Sequence, residues 1–224
     1  MKLTWLGQAG IYLEIDGLSV MVDPYLSDSV KKVNPLNWRR VPVKEDLFDI
    51  TPDVLLFTHD HLDHYDPETA PRFLEKEQKM VVLAPGTCWT KARASGGSHN
   101  YVLFDIGTEW TEKGVHFRAV KATHSDANAI GVVITGEGKC IYITGDTLYN
   151  KQILQQLPEN IDLICLPING VGNNMNAYDA QRFAVDCGAK QAMPIHWGMF
   201  DEMDPGVFTF ENTIVPEIYK EIEL

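Results

Sequence analysis

A chain of 224 residues with 45% hydrophobic content can bury a substantial core, in one large domain or two small ones. Its 31 acidic against 19 basic residues give a formal charge of −12, which argues against nucleic acid as a general partner while leaving room for bound divalent cations and a local basic pocket. Four widely spaced cysteines, Cys88, Cys140, Cys165 and Cys187, form neither a CxxC ligand set nor a disulfide framework and read as reduced core residues.

The opening run Met1 to Leu6 is broken too soon by Gly7 and Gln8 to be a secretory segment, and no apolar run approaches membrane-spanning length, so a cytoplasmic protein is expected. Ile11 to Ile15 and Ser19 to Val22, joined at Asp16-Gly17, predict a hairpin that ends in Asp23-Pro24. From Ser27 to Val43 there is no clear period. This stretch holds Lys31, Lys32, Arg39 and Arg40 together with Asn34-Pro35, Trp38 and Pro42, and reads as a loop excursion carrying the main basic cluster.

Val54 to Phe57 predicts a buried strand, and it runs directly into Thr58-His59-Asp60-His61-Leu62-Asp63-His64. Imidazole and carboxylate are the donors that zinc, manganese and iron accept, so a set this dense at a strand end is a metal-site signature. If the segment is extended, His59, His61 and Asp63 project to one side and His64 to the other, and one loop can serve two adjacent ions. Asp66 as N-cap with Pro67 at the first helical position then starts a helix, with Ala70, Phe73 and Leu74 on its apolar face.

Met80 to Ala84 predicts a strand, Thr87 caps a short helix stopped by Gly96-Gly97, and Tyr101 to Ile106 and Val115 to Val120 are further strands. Ala129 to Thr135 and Lys139 to Asp146 flank Gly136-Glu137-Gly138 and repeat the pattern of the first hairpin: strand, glycine turn, strand, aspartate. The runs 53–59, 162–168 and 191–196 echo one another in the same way, each an apolar run emerging into polar residues, and indicate a weak internal duplication. Ile153, Leu154 and Leu157 suit a short helix closed by Pro158, and Asn176 caps another that buries Ala180, Phe183, Ala184 and Cys187. About twelve strands and four or five helices, with no linker, predict a single domain over 1–224 with helices outside paired sheets.

The ligand-rich stretch needs distant partners, and His124, Asp146 and His196 each stand where an apolar run stops. In this order, His59-Asp-His61-Leu-Asp63-His64, Thr123-His124, Thr144-Gly145-Asp146 and Pro194-Ile195-His196 resemble the motifs of the metallo-β-lactamase superfamily over most of residues 1–200. Asp23-Pro24-Tyr25, Asn34-Pro35 and Pro194-Ile195-His196 look most like its ascorbate-6-phosphate lactonase branch.

The resemblance implies an α/β fold, a four-layer αββα sandwich of two pseudo-duplicated halves. It also implies two divalent ions, zinc first with manganese or iron as alternatives: one held by His59, His61 and His124, the second by Asp63, His64 and His196, with Asp146 between them. A metal-bridging hydroxide would then attack a small lactone, ester or phosphodiester, with Asp63 or a metal-bound water returning a proton to the leaving group. Only Ser125 to Ile130 separate His124 from Gly131, which leaves out any substrate-covering insertion.

Around this centre, Asp23 and Asp60 are candidates to orient ligand imidazoles. Arg39 and Arg40 are candidates to hold an anionic group on the substrate, and Asn173, Asn174 and Trp197 to line the pocket. His99 and His116 match no ligand position. Ile214, Val215, Ile218 and Ile222 can pack on the domain or on a second subunit. The competing readings are a diiron redox module, which would want a glutamate at position 61 and a flavin domain, an RNA-processing phosphodiesterase, which would want a basic arm, and a non-catalytic metal-binding protein.

Overall fold

Two β-sheets pack face to face in the computed structural model, which describes residues 1–224. The first sheet contains β1 (Lys2–Gly7), β2 (Gly10–Ile15), β3 (Leu18–Val22), β4 (Val54–Leu56), β5 (Val81–Ala84) and β6 (Asn100–Leu103) in that order. The second runs from β7 (Glu109–Glu112) through β8 (Val115–Lys121), β9 (Ile130–Gly136), β10 (Lys139–Ile143) and β11 (Leu163–Pro167) to β12 (Gln191–Ile195). A last strand, β13 (Glu221–Glu223), adds antiparallel to β1 and covers that edge.

Turn chemistry explains the hairpins. Asp16-Gly17, Lys113-Gly114 and Glu137-Gly138 each place two consecutive residues at positive φ, the requirement of a two-residue turn whose twist matches the flanking strands. β4 and β11 are parallel to both neighbours and buried throughout, which is why each reads as an unbroken apolar run rather than an alternation.

The duplication is topological. β1 to β5 pair antiparallel, antiparallel, parallel, parallel, and β8 to β12 pair in the same sequence. Inward side chains of both sheets, such as Trp5, Leu13 and Leu56 against Phe117, Ile141 and Ile195, form the central core. The outward faces carry α2 (Ala70–Leu74) and α3 (Gly86–Ala94) on one sheet, α4 (Lys151–Leu154) and α5 (Ala177–Asp186) on the other. This is the expected αββα order. Asn176 caps α5 as its sequence predicts, accepting from the Asp179 amide at 2.9 Å.

Several local expectations change. The loop excursion 27–43 contains a short helix, α1 (Ser29–Val33). The helix expected at Pro67 begins at Ala70, because Asp66 spends its carboxylate on the Thr69 hydroxyl and the Glu68 amide, closing a turn first. Pro85 rather than Thr87 stands at the N-cap of α3, and the strand expected to reach Ile106 ends at Leu103, after which Asp105 turns back to accept from the Gly86 amide.

The C-terminal segment packs on its own fold. Ile214, Ile218 and Ile222 lie against the central core, and Tyr219 accepts from Arg39. All four cysteines are buried and unpaired, and no helix is long and apolar enough to cross a membrane.

Candidate metal centre

Every strand that carries a candidate ligand ends at the same edge of the sandwich. β4 leads into His59, β10 into Asp146 and β12 into His196, so the parallel order of each half brings the three ends together. The segment after β4 is not extended: the His64 and Tyr65 amides both bond to the His61 carbonyl, and this turn directs Asp63 away from His59 and His61. The expected alternation of sides along an extended 59–64 is therefore replaced by a turn.

Two backbone contacts lock the halves together at this point. The Ile130 amide donates to the Thr58 carbonyl at 3.0 Å, and Gly145 passes so close that a Cβ there would meet the Ile130 oxygen at 2.7 Å. With φ at +59°, only glycine fits at position 145, and it delivers Asp146 beside His59. Asp126 pins the two loops further, accepting from the Asp60 amide at 3.0 Å and the Asn128 amide at 2.8 Å.

All seven candidate ligands converge in two groups, His59, His61, His124 and Asp146 in one and Asp63, His64 and His196 in the other, with donor atoms within 4.8 Å of one another inside each. The Asp146 carboxylate lies between them. Its Oδ1 is 3.3 Å from His64 Nε2, and its Oδ2 is 3.3 Å from His196 Nε2 and 3.9 Å from His124 Nε2.

The imidazoles are oriented from behind. His64 Nδ1 donates to Asp23 Oδ2 at 2.7 Å, and Asp23 is itself held by the Thr58 amide and hydroxyl. His124 Nδ1 donates to the Asn173 carbonyl at 3.2 Å, and the Asn169 carboxamide sits 2.9 Å from His196 Nδ1. For His64 and His124, Nε2 is the nitrogen left to face the centre, while the Gln8 carboxamide nitrogen lies 3.0 and 3.1 Å from the two ring nitrogens of His196. His61 turns its Nδ1 inward, 3.1 Å from His124 Nε2.

These atoms fit a cation better than they fit one another. His59 Nε2, His64 Nε2 and Asp146 Oδ1 are buried without a hydrogen-bond partner, a costly arrangement that ligation would relieve. Four of the eight non-glycine residues at positive φ, Gln8, Asp23, Asn173 and His196, also stand here, so backbone strain concentrates where the side chains converge.

Charge follows the same pattern. Burial opposes protonation of His64, but Asp146 and Asp23 raise its pKa well above the ordinary histidine value. His196 is also buried, and Asp146 and Asp63 push it up to about 9. Burial likewise opposes ionisation of Asp146 and Asp63, yet the neighbouring imidazoles hold both well below the usual carboxylate range. His59, buried beside His64, is lowered.

A proton on His196 or His64 thus occupies the place a metal would take, and a sign follows. In metal-free protein the raised pKa of His196 contributes stability that is present below about 6.5 and lost as pH rises through about 9. Metal binding requires the neutral ring, so its stabilisation grows over the same interval. Melting curves at pH 6.5 and 9 should show metal-free protein losing stability while the metal-induced increase in Tm widens.

Asp23 provides a separate check. Removing it as Asp23→Ala leaves His64 Nδ1 without its acceptor, and metal affinity should fall by roughly 10–100-fold, read by competition with a chromophoric chelator.

Other expected residues are placed differently. Asn174 is at the centre, its Nδ2 donating to Asp146 Oδ2 at 2.9 Å, and Asn173 lines the cavity. Trp197 packs against Trp5 with ring centroids 4.9 Å apart and donates to the Pro194 carbonyl, outside the cavity wall. Asp60 accepts from Lys91 at 2.6 Å and orients no imidazole. Arg39 directs its donors to the Tyr25 and Val41 carbonyls and the Tyr219 hydroxyl, and Arg40 lies over Trp38. Neither arginine lines the cavity. His99 bonds the Leu74 carbonyl, and His116 pairs with Glu109, both away from the centre.

Two residues at the centre are not named by sequence reasoning. Gln8 donates to Asp63 Oδ2 at 2.8 Å and its carbonyl accepts the His196 amide. Its signal is a lone polar side chain at the end of β1, between Gly7 and Gly10. Asn169 follows the apolar run 162–168, the same arrangement that marks His59 and His196.

Comparison with known proteins agrees with this geometry. The family model for a beta-lactamase superfamily domain matches residues 19–197. A UPF0173 metal-dependent hydrolase of Ligilactobacillus salivarius is 30% identical, with 98% of this chain and 95% of that protein aligned. Among solved structures, Igni18, a metallo hydrolase from Ignicoccus hospitalis, superposes with a TM-score of 0.78 at 21% identity over 99% of this chain and 97% of that one. The isothiocyanate hydrolase from Delia radicum gut bacteria gives 0.74 at 18% identity over 100% and 99%. A chain whose sequence matches the family model over most of its length, and whose two sheets deliver the superfamily's ordered histidines and aspartates to one edge, belongs to the metallo-β-lactamase superfamily, among its metal-dependent hydrolases.

Proposed function

We propose that this protein is a dinuclear hydrolase of a small lactone or ester, with His59, His61 and His124 holding one ion, Asp63, His64 and His196 the other, and Asp146 shared. The observation that supports it most is the position of the Asp146 carboxylate, within 3.3–3.9 Å of imidazole nitrogens from both groups. Two divalent ions held by these residues would lower the pKa of water toward about 7 and polarise the oxygen of the group under attack.

The chain's own residues supply the rest. Asp23, Asn169 and the Asn173 carbonyl fix the imidazole orientations, so little reorganisation is needed when substrate arrives. Asp63, steadied by Gln8, would accept a proton from the attacking water and return it to the leaving oxygen. The cavity above them measures ≈ 350 Å³, a space suited to a small molecule.

A panel of lactones, aryl esters and phosphodiesters tests this reading. Protein loaded with zinc or manganese should hydrolyse at least one lactone or ester, lose that activity to a chelator and regain it on metal addition. No turnover by fully loaded protein across the panel would reject the hydrolase.

A further inference from the structure

The basic cluster of residues 31–40 invites an anionic substrate, but none of its cations lines the cavity. Arg39 is 8% exposed and bonded to two backbone carbonyls and Tyr219. Arg40 stacks 4.9 Å above Trp38, with Nη1 buried and unpartnered, and lies outside the cavity lining. Lys31 pairs with Asp28 at 3.6 Å, Lys32 with Glu68 at 2.7 Å, and Lys91, behind the histidine loop, with Asp60 at 2.6 Å. None of the 14 residues lining the cavity is a lysine or arginine.

Carboxamides and apolar groups take their place. Asn37 reaches the cavity from the loop after α1, and Asn173 from the loop after β11, one from each half of the fold. Neither side chain makes a hydrogen bond within the protein, so both keep donors and an acceptor free. Val30, Val171 and Phe200 complete the outer wall. The only carboxylates in the lining are Asp63 and Asp146, at its floor.

The geometry points to an uncharged substrate, whose non-reacting part carries carbonyl, amide or hydroxyl groups and a short apolar portion, with Asn37 and Asn173 as the residues that read it. This rests on the hydrolase reading above and narrows it. A charged group on the part of the substrate remote from the reacting bond would meet carboxamides, Val30, Val171 and Phe200 with no lysine or arginine in the lining to receive it. A carboxamide can bond a neutral carbonyl or hydroxyl in either sense, which matches the wall that is present.

A matched pair of ligands tests it: a phenyl-substituted γ-butyrolactone and its para-sulfonate, with the corresponding lactams as binding probes that are not turned over. Sulfonate is chosen because it is a weak metal ligand, so any preference reports the wall. Metal-loaded protein should favour the neutral lactone in kcat/KM, and the neutral lactam in Kd, by at least about tenfold. Asn37→Lys, on a surface loop, should reduce that ratio by improving the sulfonated member, with the Asn37→Gln variant keeping the neutral preference.

Equal or tighter binding of the sulfonated lactam by the unmodified protein would overturn the proposal, as would an Asn37→Lys variant with an unchanged ratio. The two readings fail separately. Absence of turnover with both lactones counts against the hydrolase, whereas the lactam affinities decide the charge preference either way.

Discussion

Asp146→Ala is expected to lower turnover by at least about a thousandfold, equivalent to roughly 4 kcal/mol of transition-state stabilisation. The size follows from its position. One carboxylate, 4% exposed, faces His64 with one oxygen and His196 and His124 with the other, and also receives the Asn174 amide. Its removal deletes the only acidic group common to both sets and leaves the raised histidines short of their main counter-charge. Ion content should drop with activity, while far-ultraviolet circular dichroism remains that of the parent, since β10 and its neighbours are held by ladder bonds that Asp146 does not make. Asp146→Asn preserves the volume and keeps one oxygen, so it should retain more metal than the alanine variant while remaining severely impaired. Full activity in either variant with normal metal content would show that the carboxylate is not shared by the reacting centre.

Arg39→Ala should produce the largest loss of stability, about 3 kcal/mol, with a fall in Tm of roughly 6–12 °C. The guanidinium ties three parts of the chain: the Tyr25 carbonyl after β3, the Val41 carbonyl of its own loop, and Tyr219 just before β13. Truncation leaves the buried Tyr25 carbonyl and two part-buried acceptors without their donors, which costs more than the mean value of the bonds themselves. Because Arg39 lies outside the cavity, KM for an accepted substrate should be unchanged in the protein that remains folded. A large rise in KM with unaltered Tm would instead return Arg39 to the substrate.

The contrast between those two residues shows what the sequence could carry. His59, His124, Asp146 and His196 were legible because each follows an apolar run, and His61, Asp63 and His64 because they crowd the same stretch as His59; a strand end in a parallel sheet is where side chains of separate segments meet. The hairpins were legible from residue–glycine pairs, which few other structures require. Arg39 was not legible as a strap, since its partners are two backbone carbonyls and a tyrosine 180 residues away, none of which leaves a trace in local composition. Trp197 misled for a related reason: its neighbour His196 faces the cavity, but the backbone turns at φ +62° and sends the tryptophan ring against Trp5.

The turn at 59–65 escaped periodicity altogether. Its shape is set by two amides sharing the His61 carbonyl, and that sharing, rather than alternation along a strand, turns Asp63 away from His59 and His61 while His64 stays against His59, ring centroids 3.9 Å apart. Gln8 and Asn169 were within reach. Both are polar residues at strand ends, and they lacked only the metal-binding chemistry that draws attention to histidine and aspartate.

The most direct measurement is the metal content of purified, active protein, determined by elemental analysis alongside turnover as chelator is titrated in. A shared centre at Asp146 requires close to two divalent ions per chain, with activity falling as they are removed and returning as they are restored. Full turnover by metal-free protein, or full turnover at one ion per chain, would contradict it.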